Sequence, residues 1–219
     1  MITFEDVKAN PFVDAYITRA DEYLALVGYT EHGKRHLGLV AKWARSTLLD
    51  LGYDERTAEL SAISAYLHDI GNAINRVDHA FTGAILAHTL LAQMGMKPEE
   101  IAQVVAAIGS HDEGACEPIS AISAGLILAD KSDVHRSRVR NPDMIKFDIH
   151  DRVNYAVERS RLLVNPEKKL ITLDLLIDTS ISPVVEYFEI FLERMLFCRR
   201  AANFLDCEFS LVINDHKML

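Results

Sequence analysis

The sequence predicts a mainly α-helical protein that ends in a small α+β region. Apolar residues recur at helical spacing in block after block between residues 36 and 130. Alternating periodicity appears only after Asn141-Pro142, and it is clearest in Ile171, Leu173, Leu175 and Ile177 against Thr172 and Asp174. The composition, 49% hydrophobic and 25% charged over 219 residues, is that of a globular chain able to bury a substantial core.

Each element follows from its own pattern. Leu37, Val40, Ala44, Leu48 and Leu51 make one helical stripe, and Gly52 stops it. Asp54 is placed to cap a second helix with Leu60, Ile63, Leu67 and Ile70 on one face. Asp78 is placed to cap a third, with Phe81, Ile85 and Leu86 leading to Gly95. Pro98 suits the opening of a fourth, with Ile101, Val104, Val105 and Ile108 inward. A fifth runs from about Ile119 to Asp130. A short helix over 148–157 comes next, and then Arg161–Val164 and Leu170–Ile177 flank a hairpin turn, Asn165–Lys169. Ser182-Pro183 opens a long helix to about Leu205, and Phe209–Ile213 reads as a closing strand. Phe188, Phe191, Leu192, Met195 and Leu196 form either the core of this last region or a dimer face. The division expected is a helical domain at 1–144 and a small α+β region at 145–219.

The bulk numbers exclude several functions. A formal charge of −9 disfavours a nucleic-acid polymer or an anionic membrane as partner, while a local basic patch can still hold a phosphate ester. The three cysteines, Cys116, Cys198 and Cys207, show no CxxC pairing and read as reduced. The N-terminus lacks the basic and apolar segments of a signal peptide, so a cytoplasmic location is expected.

The chemistry gathers at helix ends. His68-Asp69 closes an apolar helical segment. His36 and His79 start helices, His111 follows one, and Asp130 ends another. A buried imidazole or carboxylate without a partner is costly, and several of them can satisfy one another around a metal ion. A carboxylate has two oxygens and can bridge two ions, whereas an imidazole binds one. Any one of these residues alone reads as structural. His32 lies four residues before His36, as an extra ligand or as part of the preceding loop. His88, His135, His150 and His216 read as structural or solvent-facing.

His36, then His68-Asp69, then Asp130 resembles the H…HD…D pattern of the HD-domain metal-dependent phosphohydrolases. His68-Asp69-Ile70-Gly71 resembles HDIG, and the segment from His79 to Ala84 resembles the HPxxGA helix start. Asp130-Lys131-Ser132-Asp133 resembles the family's DxxD. With His79 and His111 added, the set is similar to that of dinuclear members such as the HD-GYP phosphodiesterases. The match covers about residues 30–140 and departs in three places. Asn72 replaces a phosphate-contacting lysine, His111-Asp112-Glu113 replaces two adjacent histidines, and no Gly-Tyr-Pro follows.

The resemblance implies an HD-domain helical bundle with an appended α+β region. It implies two divalent transition-metal ions, iron or manganese before nickel or zinc, held by His36, His68, Asp69, His79, His111 and Asp130. Asp69 would bridge, and Asp69 and Asp130 would be the catalytic carboxylates. A metal-activated water would attack the phosphorus of a nucleotide or small phosphorylated metabolite. Lys131, Arg136, Arg76 and Asn72 are the expected phosphate contacts. Lys34, Arg35, Arg138 and Arg140 are weaker candidates, and Asp133, Glu113 or Asp112 would be the leaving-group acid. Alternatives are a mixed-valent di-iron oxygenase and a non-catalytic metal-bearing regulatory module. A homodimer is expected.

Overall fold

Residues 1–113 and 117–218 are described by a computed structural model. Cys116 lies outside them. Two helices precede everything the apolar spacing predicts: α1 (Phe4–Ala9), started by a Thr3/Asp6 capping box, and α2 (Pro11–Leu26), capped by Asn10. α2 buries Val13, Ile17 and Leu24. The stripe after His36 becomes α3 (Lys34–Asp50), and His32 lies in the loop ahead of it rather than on its face. Asp54 caps α4 (Glu55–Leu67), its carboxylate accepting from the backbone N–H of Arg56 and Thr57. α6 (Pro98–Gly109) opens on its proline, and α7 (Ala121–Ser132) starts from a Ser120/Ser123 capping box.

α5 (His79–Gln93) corrects the expectation in two ways. Asp78 occupies the N-cap position, but its backbone is left-handed at φ 58° and its side chain caps nothing. Phe81 and Ile85 are 58% and 67% exposed, and the buried face is instead Ala80, Gly83, Ala87, Leu90 and Leu91. The reason is a close approach. A turn of 3₁₀ helix, Ile70–Ala73, lies against the start of α5. A Cβ on Gly71 would sit 2.0 Å from the carbonyl oxygen of His79, and one on Gly83 would sit 3.1 Å from that of His68. Only small residues permit this contact.

The C-terminal region follows its predicted order. α8 (Ile149–Ala156) is capped by Asp148, and β1 (Val157–Asn165) pairs antiparallel with β2 (Leu170–Ile177). α9 (Val184–Phe204) then crosses over to β3 (Glu208–Ile213), which pairs parallel to β2 with Leu173 opposite Leu211. The strand read as a closing element is therefore the second parallel strand of a βαβ unit, and β4 (His216–Lys217) pairs beyond it. On α9 the buried face is Tyr187, Phe191, Met195, Cys198 and Ala202, while Leu192 is 48% exposed.

Two hydrophobic clusters hold the chain together. One is built by α1–α7. The other joins Leu48, Ala58, Ala124, Ile127 and Leu128 of the helical region to the sheet and α9. α7 contributes to both, so its C-terminal end, which carries Asp130, is fixed from two sides. Among the described residues no helix is long and apolar enough to cross a membrane.

Candidate metal centre

The six expected ligands meet at one point from five helix ends. His36 is the third residue of α3, and His68 and Asp69 follow α4 directly. His79 opens α5, His111 lies just past the end of α6, and Asp130 is near the end of α7. All six are buried. Ligand atoms of His36, His68 and Asp130 lie within 4.8 Å of one another, as do those of His68, Asp69 and His111. The rings form a chain, with centroids 5.4 Å apart for His36–His68, 4.8 Å for His68–His111 and 5.1 Å for His111–His79.

Each imidazole is held from behind through Nδ1. His36 Nδ1 meets Asp133 Oδ2 at 2.7 Å, His68 the carbonyl of Ala65 at 2.7 Å, His111 that of Ile108 at 2.6 Å and His79 that of Arg76 at 3.1 Å. With Nδ1 engaged in this way, Nε2 is the ring atom left to face the cluster. His36 Nε2 and His68 Nε2 are buried and have no hydrogen-bond partner among the described residues. They face carboxylate oxygens instead: His68 Nε2 lies 3.2 Å from Asp69 Oδ2 and 3.5 Å from Asp130 Oδ1, and His36 Nε2 lies 3.4 Å from Asp130 Oδ1. Ligand atoms about 2.1 Å from one ion stand roughly 3–3.5 Å from each other, so these spacings suit a shared cation. The other Asp69 oxygen, Oδ1, lies 3.4 Å from His79 Nε2. The two oxygens of Asp69 thus address different histidines, as a bridging carboxylate does.

Protonation agrees with this geometry. Burial opposes charge on His68, but Asp69 and Asp130 outweigh it and raise the imidazole to about 10. Burial, with the charges of His68 and Lys131, lowers His111 to about 3. Both carboxylates are held well below their usual range because charged neighbours, Lys131 and His68 for Asp130 and His68 for Asp69, outweigh burial. Without a metal the centre keeps one proton on His68 between two carboxylates, a place that a cation would take.

The remaining expected residues divide. Arg76 and Lys131 line a cavity of about 360 Å³ that opens onto the cluster. Arg76 Nη1 reaches His79 Nε2 at 3.1 Å, and Lys131 Nζ pairs with Asp130 Oδ2 at 2.8 Å and Glu113 Oε2 at 3.0 Å. His32 also lines the cavity, its Nδ1 2.7 Å from the Thr30 carbonyl. Asn72 does not line it. Fully buried behind the centre, it donates to the backbone carbonyl and Oδ1 of Asp69, each at 2.9 Å, and so positions that carboxylate.

Arg136 does not line the cavity either. It pairs with Glu158 at 2.9 Å over the ring of Tyr155, because the chain turns away after α7. Lys34 is exposed and pairs with Asp14, and Arg140 pairs with Asp21. Arg35 binds Asp133. Asp133 does not line the cavity: buried and bonded to His36 and Arg35, with Arg138 Nε 3.9 Å away, its carboxyl is held far below the usual carboxylate range. Glu113 is likewise ionised, since Lys131 and Arg194 outweigh its burial and lower it to about 2. Asp112 lines the cavity with its side chain 40% exposed, 4.0 Å from His79 Nδ1.

The far wall of the cavity was not foreseen. It comes from the 27–30 loop and from α8 and α9, with Asp148, His150, Asp151, Asn154, Phe191 and Arg194. His150, expected to be solvent-facing, is exposed and lines the cavity as well. Periodicity marked Phe191 as apolar, but nothing local marked Arg194 or Asn154.

No protein-family profile matches the chain. It is 33% identical over 167 residues to an uncharacterised protein of Methanocaldococcus jannaschii, a match spanning 66% of this chain and 64% of that protein. It also aligns with the crystal structure of a predicted HD superfamily hydrolase from an uncultured Thermotogales bacterium, at TM-score 0.46 and 28% identity. That alignment covers 57% of this chain and 67% of the other.

Proposed function

We infer that the chain belongs to the HD-domain superfamily and hydrolyses a phosphate ester of a small metabolite, using divalent transition-metal ions. The observation that carries this reading is the buried chain of four imidazoles, each committed through Nδ1, with Nε2 of His36, His68 and His79 lying 3.2–3.5 Å from a carboxylate oxygen of Asp69 or Asp130. His36, His68, Asp69 and Asp130 would hold one ion, and Asp69, His79 and His111 a second. Mixed imidazole and carboxylate donors suit iron or manganese, with nickel and zinc as alternatives.

When bound, such ions supply Lewis acidity: they lower the pKa of a water and neutralise phosphoryl charge. The chain's own residues do the rest. Arg76, on the cavity wall beside Asp69 and His79, is placed to take phosphoryl oxygens with its planar fork. Lys131 keeps its ammonium charged because Asp130 and Glu113 outweigh its burial, which adds positive charge where negative charge would develop. Of the three carboxyls considered for the leaving group, Asp112 has the most exposed side chain, 40% against 20% for Glu113 and 0% for Asp133.

The test is a panel of phosphomonoesters and phosphodiesters offered anaerobically to manganese- or iron-loaded protein. Turnover is expected, falling at least about a hundredfold in Asp69→Asn. Folded, metal-loaded protein that cleaves no phosphate ester would overturn the hydrolase reading. Oxygen uptake by that protein would point to the oxygenase class instead.

A further inference from the structure

Besides Arg76 and Lys131, two further cationic side chains line the cavity, Arg138 beyond α7 and Arg194 on α9, together with six carboxylates that include Asp148 and Asp151 at the start of α8. Arg138 is buried. Its Nε donates to the carbonyl of Glu31 at 3.1 Å and its Nη1 to that of Asp133 at 2.8 Å, while Nη2 has no partner among the described residues. The Asp133 carboxylate is 3.9 Å away and is already taken by Arg35 and His36, at 2.8 and 2.7 Å. An arginine stays charged even when buried, so Arg138 is incompletely neutralised. Arg194 adds a second guanidinium, braced by Glu113 Oε1 at 2.9 Å and by the Phe191 ring at 4.6 Å. Asn154, on α8, is also buried and lines the cavity. Its Nδ2 donates to the carbonyl of His150 at 2.8 Å, while its Oδ1 accepts nothing among the described residues. Buried polar atoms are rarely left unpaired, and here an unpaired donor and an unpaired acceptor belong to residues lining one cavity.

We propose that Arg138, Arg194 and Asn154 form a recognition subsite for a second anionic group on the substrate, a phosphate or carboxylate that is not itself cleaved. Asn154 Oδ1 accepts from a hydroxyl or amide N–H beside that group. The proposal rests on the phosphoryl group engaging the metal centre, and it narrows the substrate class to small bis-anionic phosphate esters. The C-terminal region thereby becomes the specificity element of the site. Arg138 also ties two backbone segments together, so the test acts on the other two residues.

Calorimetric titration of manganese-loaded protein compares propane-1,3-bisphosphonate with propylphosphonate, neither of which can be hydrolysed. Wild-type protein should bind the bisphosphonate at least tenfold tighter. That ratio should fall toward one in Arg194→Gln and in Asn154→Leu, each shown to be folded by its thermal transition. Because the ratio is taken within each variant, a general change in metal loading cancels. A ratio near one in the wild type, or one retained in both variants, overturns the subsite; the latter would mean that the second phosphonate binds elsewhere, such as the metals themselves. If the wild type keeps the ratio but hydrolyses no ester, the subsite stands and the hydrolase reading fails.

Discussion

Behind His36 stands Asp133, whose charge is shared with Arg35 and which fixes the imidazole so that Nε2 faces Asp130. Groups of this kind typically change metal affinity 10–100-fold when removed. Asp133→Asn should therefore weaken metal binding by about that factor, measured by competition against a chelator, while the protein stays folded. Unchanged affinity would show that the His36 orientation does not depend on the charge. That the six expected ligands come together was legible because buried imidazoles and carboxylates at the ends of successive apolar helices can satisfy one another at one place. The role of Asp133 was not: its spacing from Asp130 does not say on which side of the His36 ring it lies. Glu113 gives a pH prediction. Its carboxyl is lowered from 4.5 to about 2 by Lys131 and Arg194 against burial. A depressed pKa stabilises the fold above the unfolded value and loses that contribution as pH falls through the folded one. Denaturant midpoints of metal-free protein should therefore decline between pH 4.5 and about 2, and less steeply in Glu113→Gln. Equal slopes would contradict the assignment.

At the scale of elements, the junction of the Ile70–Ala73 turn with α5 sets where His68, Asp69 and His79 stand relative to one another. Gly71→Ala places a Cβ 2.0 Å from the His79 carbonyl oxygen and 2.6 Å from the Gly83 nitrogen, both backbone atoms that cannot swing aside. A loss of about 3 kcal/mol or more in unfolding free energy is expected, with metal affinity falling alongside. Gly38, inside α3, should respond with the opposite sign. A Cβ there meets nothing within 4 Å, so Gly38→Ala should stabilise by roughly 0.5–1 kcal/mol. Chemical denaturation of the two variants side by side checks both. This junction also explains why the face of α5 was misjudged. Periodicity weights large apolar residues, whereas the contact here requires glycine and alanine and leaves Phe81 and Ile85 outside. α3, α4, α6 and α7, whose faces pack through Leu, Ile and Val, were legible for that same reason, whereas α1 and α2 went unread although they bury Val7, Val13, Ile17 and Leu24.

Across the whole molecule, the expected boundary at 144/145 runs through one hydrophobic cluster, in which Ala124, Ile127 and Leu128 of α7 are packed together with the sheet and α9. The two parts should unfold together, as a single calorimetric transition with van't Hoff and calorimetric enthalpies equal; two resolved transitions would contradict shared packing. The same docking builds the cavity wall, and it explains why Arg194 and Asn154 could not be picked out from sequence. Their role depends on how α9 and α8 lie against α7, which no local pattern encodes, whereas the strand alternation and the long final helix were plain. The central claim is that His36, His68, Asp69, His79, His111 and Asp130 form a cation site. Equilibrium dialysis against manganese or ferrous iron under anaerobic conditions, followed by elemental analysis, tests it most directly. The account predicts at least one tightly held ion per wild-type chain and near-complete loss of it in His68→Ala that remains folded. A wild-type protein that takes up no transition metal, or a His68→Ala variant that binds as much as the wild type, would contradict it.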